Sequence, residues 1–113
     1  MSQNRIKHAQ TWVLAILATT MIVATVRAAS YDIEQVGQKF SVRSESVKAG
    51  DTLVFSNHDD VTHNISVFDT SDNETNLGLQ KPGEVLNYKF DKQGRFRIRC
   101  SIHPSMRMTV DVS

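Results

Sequence analysis

Cys100, His103 and Met106 stand at steps of three in one short segment, Cys100-Ser101-Ile102-His103-Pro104-Ser105-Met106. Thiolate, imidazole and thioether together make a soft-to-intermediate donor set that suits a single copper ion. One more imidazole would complete a His2Cys set with a weak axial Met, and His63 is placed to supply it. Such a site takes Cu(I) and Cu(II) with little rearrangement, so its natural chemistry is exchange of one electron. Zinc would call for four strong nitrogen or sulfur donors, and a thioether is a poor one. A nucleophilic cysteine would need a general base and an oxyanion site. His103 could be the base, but nothing else in the chain looks like that machinery.

The donors need strands to aim them. In residues 95–100, Phe96, Ile98 and Cys100 share one side of an alternating run, and Arg95, Arg97 and Arg99 share the other. That parity sends Cys100 inward at a strand end, and the loop after it returns His103 and Met106 to the same point. Similar period-two runs occur at 31–36, 52–56, 63–68, 84–90 and 106–112. Lys48-Ala49-Gly50-Asp51 reads as a turn, and the polar stretch 70–81 as an exposed loop closing at Pro82-Gly83. No helix is expected after the first 29 residues. About seven or eight short strands with frequent turns imply an all-β, Greek-key antiparallel sandwich around one core.

Residues 1–29 read differently. A polar start with Arg5, Lys7 and His8 precedes an uncharged run over 11–26, and small residues follow at Ala28 and Ala29. This is the layout of a secretory signal peptide cleaved between 28 and 30. The apolar run falls short of the ~20 residues a membrane span needs. The expected mature chain is then one domain, residues 30–113, exported and periplasmic. It holds 10 Lys and Arg against 12 Asp and Glu, a net charge of −2, against +1 for the whole sequence. That balance excludes the basic face of a nucleic-acid binder. The single cysteine cannot form an intramolecular disulfide, and a lone thiol in an oxidising compartment needs burial or a metal. A bound ion would also add stability to so small a domain.

Three stretches carry a resemblance to a known family. They are Val47-Lys48-Ala49-Gly50-Asp51-Thr52-Leu53-Val54-Phe55-Ser56-Asn57, then Thr62-His63-Asn64-Ile65, then Gly94-x-Phe96-x-Ile98-x-Cys100 running on to Met106. Together they resemble the cupredoxins, type 1 blue copper proteins, and within them the plastocyanin/amicyanin group. The Cys-x-x-His-Pro-x-Met loop looks most like the short amicyanin loop. The resemblance implies His63, Cys100, His103 and Met106 as copper ligands. It also implies that the Asn64 backbone N–H donates to the Cys100 sulfur while its side chain ties two ligand loops together.

Met108 competes with Met106, since a longer loop with four residues between His and Met would select it. In family members the axial Met is followed at the fourth and sixth positions by inward apolar residues. From Met106 those are Val110 and Val112, whereas from Met108 they are Val112 and the chain end, so Met106 is preferred. Met108 is then core or rim. His58 lies in the charged stretch Asn57-His58-Asp59-Asp60 and reads as solvated; His63 opens a strand 37 positions before Cys100. Arg95, Arg97 and Arg99 read as a solvated face that could also steer an acidic partner. Val61, Ile102, Pro104 and Met108 are expected to form an apolar rim around His103, the ligand nearest solvent.

The expected function is a monomeric electron shuttle, not an enzyme, exchanging electrons with a c-type cytochrome or a dehydrogenase as the resemblance implies. The alternative is a periplasmic copper carrier without an electron-transfer role. Copper carriers more often use open sites rich in Met and His, and this chain has one compact set. A multicopper oxidase would need many more than its four histidines.

Overall fold

The alternating runs pair into eight strands, which a computed structural model, describing residues 12–22 and 27–113, arranges in two facing sheets. The strands are β1 (Ser30–Gln35), β2 (Ser44–Val47), β3 (Thr52–Asn57), β4 (His63–Phe68), β5 (Glu74–Gln80), β6 (Val85–Lys89), β7 (Gly94–Arg99) and β8 (Arg107–Val112). One sheet has the order β1-β3-β6 and the other β2-β8-β7-β4-β5. No helix occurs among the described residues. The all-β sandwich expected from the alternation is the fold observed.

The chain crosses repeatedly between sheets, so strands that are neighbours in space are seldom neighbours in sequence. Four pairings are antiparallel: β3 with β6, β4 with β5, β4 with β7, and β7 with β8. Two are parallel, β1 with β3 and β2 with β8. Parallel neighbours need a crossover between them, and the passage through the opposite sheet supplies it.

Alternation explains the core. Ile33, Leu53, Phe55, Ile65, Val67, Phe96, Ile98, Val110 and Val112 come from successive inward positions and are all buried. Phe90 stacks edge-on against Phe96, with ring centroids 5.1 Å apart. The turn before β3 is fixed by Asp51. Its carboxylate accepts the Lys48 and Ala29 backbone N–H groups, each at 2.8 Å. Gly50 takes φ +97° in that turn, a conformation that favours glycine.

Residues 70–81 correct an expectation. They are not all loop, because Glu74–Gln80 pairs along β4 as the edge strand β5. Its side chains are mostly exposed, so it lacks the apolar alternation that marks a strand in sequence. A register shift at Ile65/Ser66 and Gly78 at φ +94° interrupt its pairing, and polar, irregular edges of this kind resist pairing with other chains. The short β2 gives no apolar alternation to read. The proposed leader falls partly on residues 1–11 and 23–26, which lie outside the described residues. Residues 12–22 form no strand and contribute nothing to the buried core. No helix of the described residues is long and apolar enough to cross a membrane.

Candidate metal centre

Strand parity places Cys100 as expected. Phe96 and Ile98 are buried on the inner side of β7, and Cys100 follows them inward, 1 % exposed. His63 opens β4, the strand beside β7, and is fully buried. His103 sits mid-loop and is the least buried of the four candidates. His58 stands exposed near Glu34 and takes no part.

The donor atoms converge. His63 Nδ1 lies 3.0 Å from His103 Nδ1, Cys100 Sγ lies 3.7 Å from His103 Nδ1, and Cys100 Sγ lies 4.0 Å from His63 Nδ1. A point equidistant from all three lies about 2.1 Å from each, at a metal–nitrogen bond length and a little inside the ~2.3 Å of a metal–thiolate bond. Three such donors in a triangle, with no carboxylate among them, are what copper of the expected kind asks for.

Asp59 sets the chemistry of His63. The His63 ring donates from Nε2 to the Asp59 carboxylate at 2.6 Å. That bond puts the ring proton on Nε2 and leaves the Nδ1 lone pair aimed at the triangle. The carboxylate also accepts the Gln38 N–H at 2.9 Å and the Gly37 N–H at 2.5 Å. Burial works against its charge, yet the Gln38 N–H, the His63 ring and the Gly37 N–H outweigh it and hold Asp59 below the usual carboxylate range. Reading the sequence assigned Asp59 no role. The available signal was a carboxylate four residues before the candidate His, since metal-binding imidazoles commonly donate their second nitrogen to one.

Asn64 joins the two segments. Its backbone N–H points at Cys100 Sγ at 3.4 Å, and its Oδ1 accepts both the N–H and the hydroxyl of Ser101 at 2.8 Å. Its Nδ2 donates to Asn76 on β5, so the strand that sequence patterning missed also braces the centre. The loop closes on itself, with Met106 N–H donating to His103 at 2.9 Å and Cys100 N–H to Met106 at 3.1 Å.

Both methionines are buried, Met106 in the loop and Met108 inside β8 opposite Ile98. Met108 is therefore core, and its expected place in an apolar rim is corrected: the parity of β8 turns it inward with Val110 and Val112. Ile102 and Pro104 are exposed beside His103, and Val61 is half-buried. Arg95 and Arg99 are exposed and Arg97 is half-buried, with the Arg97 and Arg99 guanidiniums lying over the Phe68 ring.

A sequence model of the copper binding proteins, plastocyanin/azurin family, matches residues 27–113. The methylamine utilization protein MauL of Methylorubrum extorquens is 29 % identical over 111 residues, covering 87 % of this chain and 97 % of that protein. MauL of Methylophilus methylotrophus is 35 % identical over 66 residues, 57 % of this chain and only 38 % of that protein's length. Among solved structures, a reduced amicyanin variant superposes with a TM-score of 0.69 at 22 % identity, covering 78 % of this chain and 86 % of its own.

Proposed function

This chain belongs to the plastocyanin/azurin family of copper-binding proteins, and from that premise we propose that it is an exported blue copper protein shuttling single electrons. We assign His63, Cys100, His103 and Met106 as the metal ligands. The observation that carries the assignment is the triangle of Nδ1, Nδ1 and Sγ atoms with sides of 3.0, 3.7 and 4.0 Å. Copper held there would supply one-electron exchange between Cu(I) and Cu(II).

The protein's own part is to hold that donor set still. Asp59 fixes the tautomer and tilt of His63, and Asn64 fixes the loop that carries His103. The Asn64 N–H on the sulfur withdraws charge from the thiolate and so tunes the potential. The burial of His63, Cys100 and Met106 suits retention of an ion over its delivery, which favours a shuttle over a carrier. His103, with Ile102 and Pro104 beside it, offers an exposed edge for brief docking.

Residues 1–29 serve as the export signal in this reading, and the domain of 30–113 works in the periplasm. A c-type cytochrome or a dehydrogenase is the partner class. Relatives named for methylamine utilization fit a dehydrogenase as electron donor. The test is the visible and EPR spectrum of the copper-loaded protein. An intense blue band that disappears in Cys100→Ser supports the reading; a colourless loaded protein refutes it.

A further inference from the structure

The face beside Met106 carries charge that the fold does not need. Three pairs of residues lie opposite one another on the outer side of β7 and β8: Arg95 with Asp111, Arg97 with Thr109, and Arg99 with Arg107. At the far end Arg95 Nε donates to Asp111 at 2.8 Å, a matched cross-strand pair. Arg97 is matched by Asp72. At the end nearest the loop, two arginines face each other across the strands. Like charges directly opposite cost stability, and among the described residues no acid pairs with either.

These arginines are part of a larger feature. A groove of about 440 Å³ runs between them and the segment joining β1 to β2, which adds Lys39 and Arg43. Met106 lines the same groove. Among the described residues, none of Lys39, Arg43, Arg99 and Arg107 is in ion-pair contact with a carboxylate. Residues 30–113 carry a net charge of −2, so a basic groove here means that acidic charge is gathered elsewhere on the surface. Such an asymmetry orients an approaching protein before contact. The groove is concave and ends at a proposed copper ligand, which suits a protruding acidic patch on a protein better than a flat lipid surface.

We propose that this groove docks the acidic surface of a redox partner, on the Met106 side of the centre. The proposal rests on the electron-shuttle reading and adds where the partner sits and what charge it bears. The test uses two oxidised c-type cytochromes, one acidic and one basic, each taking one electron from the Cu(I) protein in stopped flow. The acidic cytochrome should react faster at low salt, and Lys39→Glu/Arg43→Glu should slow it about tenfold or more. The difference should close near 1 M salt, where screening acts within ~3 Å. Lys89→Glu, on β6 in the other sheet, should leave the rate within about twofold. In the metal-free protein, NMR titration with the acidic cytochrome should shift amides around residues 39–43 and 105–109.

Equal rates for the two cytochromes with equal salt dependence would overturn the proposal, as would amide shifts confined to Ile102–Pro104. So would binding to phosphatidylglycerol vesicles that the double variant abolishes while the cytochrome shifts nothing. Failure of the shuttle reading looks different: no electron passes to either cytochrome, while the groove amides still shift.

Discussion

Replacing Asn64 with alanine isolates the brace between the two halves of the centre. The side chain is 3 % exposed and takes part in three hydrogen bonds, two from Ser101 and one to Asn76. The backbone N–H to Cys100 Sγ survives the substitution, because alanine keeps it. Three bonds at about 0.5–1.5 kcal/mol each would sum to about 1.5–4.5 kcal/mol. Ser101 is exposed, so water recovers part of its share and the lower half of that range is expected. For a domain of this size, 2–3 kcal/mol corresponds to roughly 10–20 °C in Tm. The assay is urea unfolding of the metal-free variant, with an unchanged m-value as the sign that only stability moved. Ser101→Ala removes one of the three bonds and should cost less than about 1 kcal/mol. If Asn64→Ala costs no more than Ser101→Ala, the side chain is not bracing the loop and the reasoning fails.

Met106→Leu should shift the visible spectrum and the reduction potential, whereas Met108→Leu should leave both unchanged and cost less than about 1.5 kcal/mol as a volume-conserving core swap; the reverse pattern would transfer the axial role to Met108. Gly94→Ala should destabilise by about 1–3 kcal/mol, since φ is +137° and the new Cβ would sit 3.0 Å from Thr70 Cγ2; adding Thr70→Ser should recover only the contact part in urea unfolding. In the chain that keeps Ala29, Asp51 has its carboxyl held below the usual range, chiefly by the Ala29 and Lys48 N–H groups, of which cleavage after residue 29 would leave the Lys48 donor. The unfolded chain therefore binds its proton more readily, so the stability it contributes is present above pH ~4 and is lost as pH falls through the folded value. The acid limb of a stability–pH curve should flatten in Asp51→Asn.

Five residues of the candidate centre can be singled out from the sequence, for different reasons. Cys100 could be aimed because Phe96 and Ile98 are apolar and the arginines between them are not, and parity along a strand is a local property. His103 and Met106 were legible because chemistry and spacing coincide within seven residues. His63 needed the resemblance as well as its place at a strand start, since nothing local says that β4 lies beside β7. Asn64 was reached by resemblance alone. The features that were not legible depend on contacts distant in sequence. The β5 pairing with β4 is made by backbone groups under mostly exposed side chains, so it leaves no hydrophobic trace. The Asp59 bridge joins His63 to Gly37 and Gln38, which lie 22 and 21 positions away from it. Met108 reads as core or rim from sequence, and the parity of β8, which turns it inward with Val110 and Val112, decides for the core. The opposition of Arg99 and Arg107 appears only when β7 and β8 are set in register.

Removing the ion tests how far the protein itself builds the site. Each proposed donor is held by a bond that needs no metal: His63 by Asp59, the Cys100 loop by Asn64, and Met106 by its backbone links to His103 and Cys100. The core is independent of the ion too, because Ile33, Leu53, Phe55, Ile65, Ile98 and Val110 are buried along both sheets. The metal-free protein should therefore unfold cooperatively at a lower temperature, the difference reflecting binding of copper to the folded state alone. Hydrogen exchange sharpens the expectation. The Cys100, Ser101 and Met106 amides all donate within the protein, so they should stay protected when copper is stripped. Selective loss of protection at these three, with the strands unaffected, would mean that the ion shapes the loop and that the bracing by Asp59 and Asn64 is too weak to preset it. Retained protection would mean that both oxidation states meet the same scaffold, and a low cost of reorganisation is what a one-electron shuttle requires.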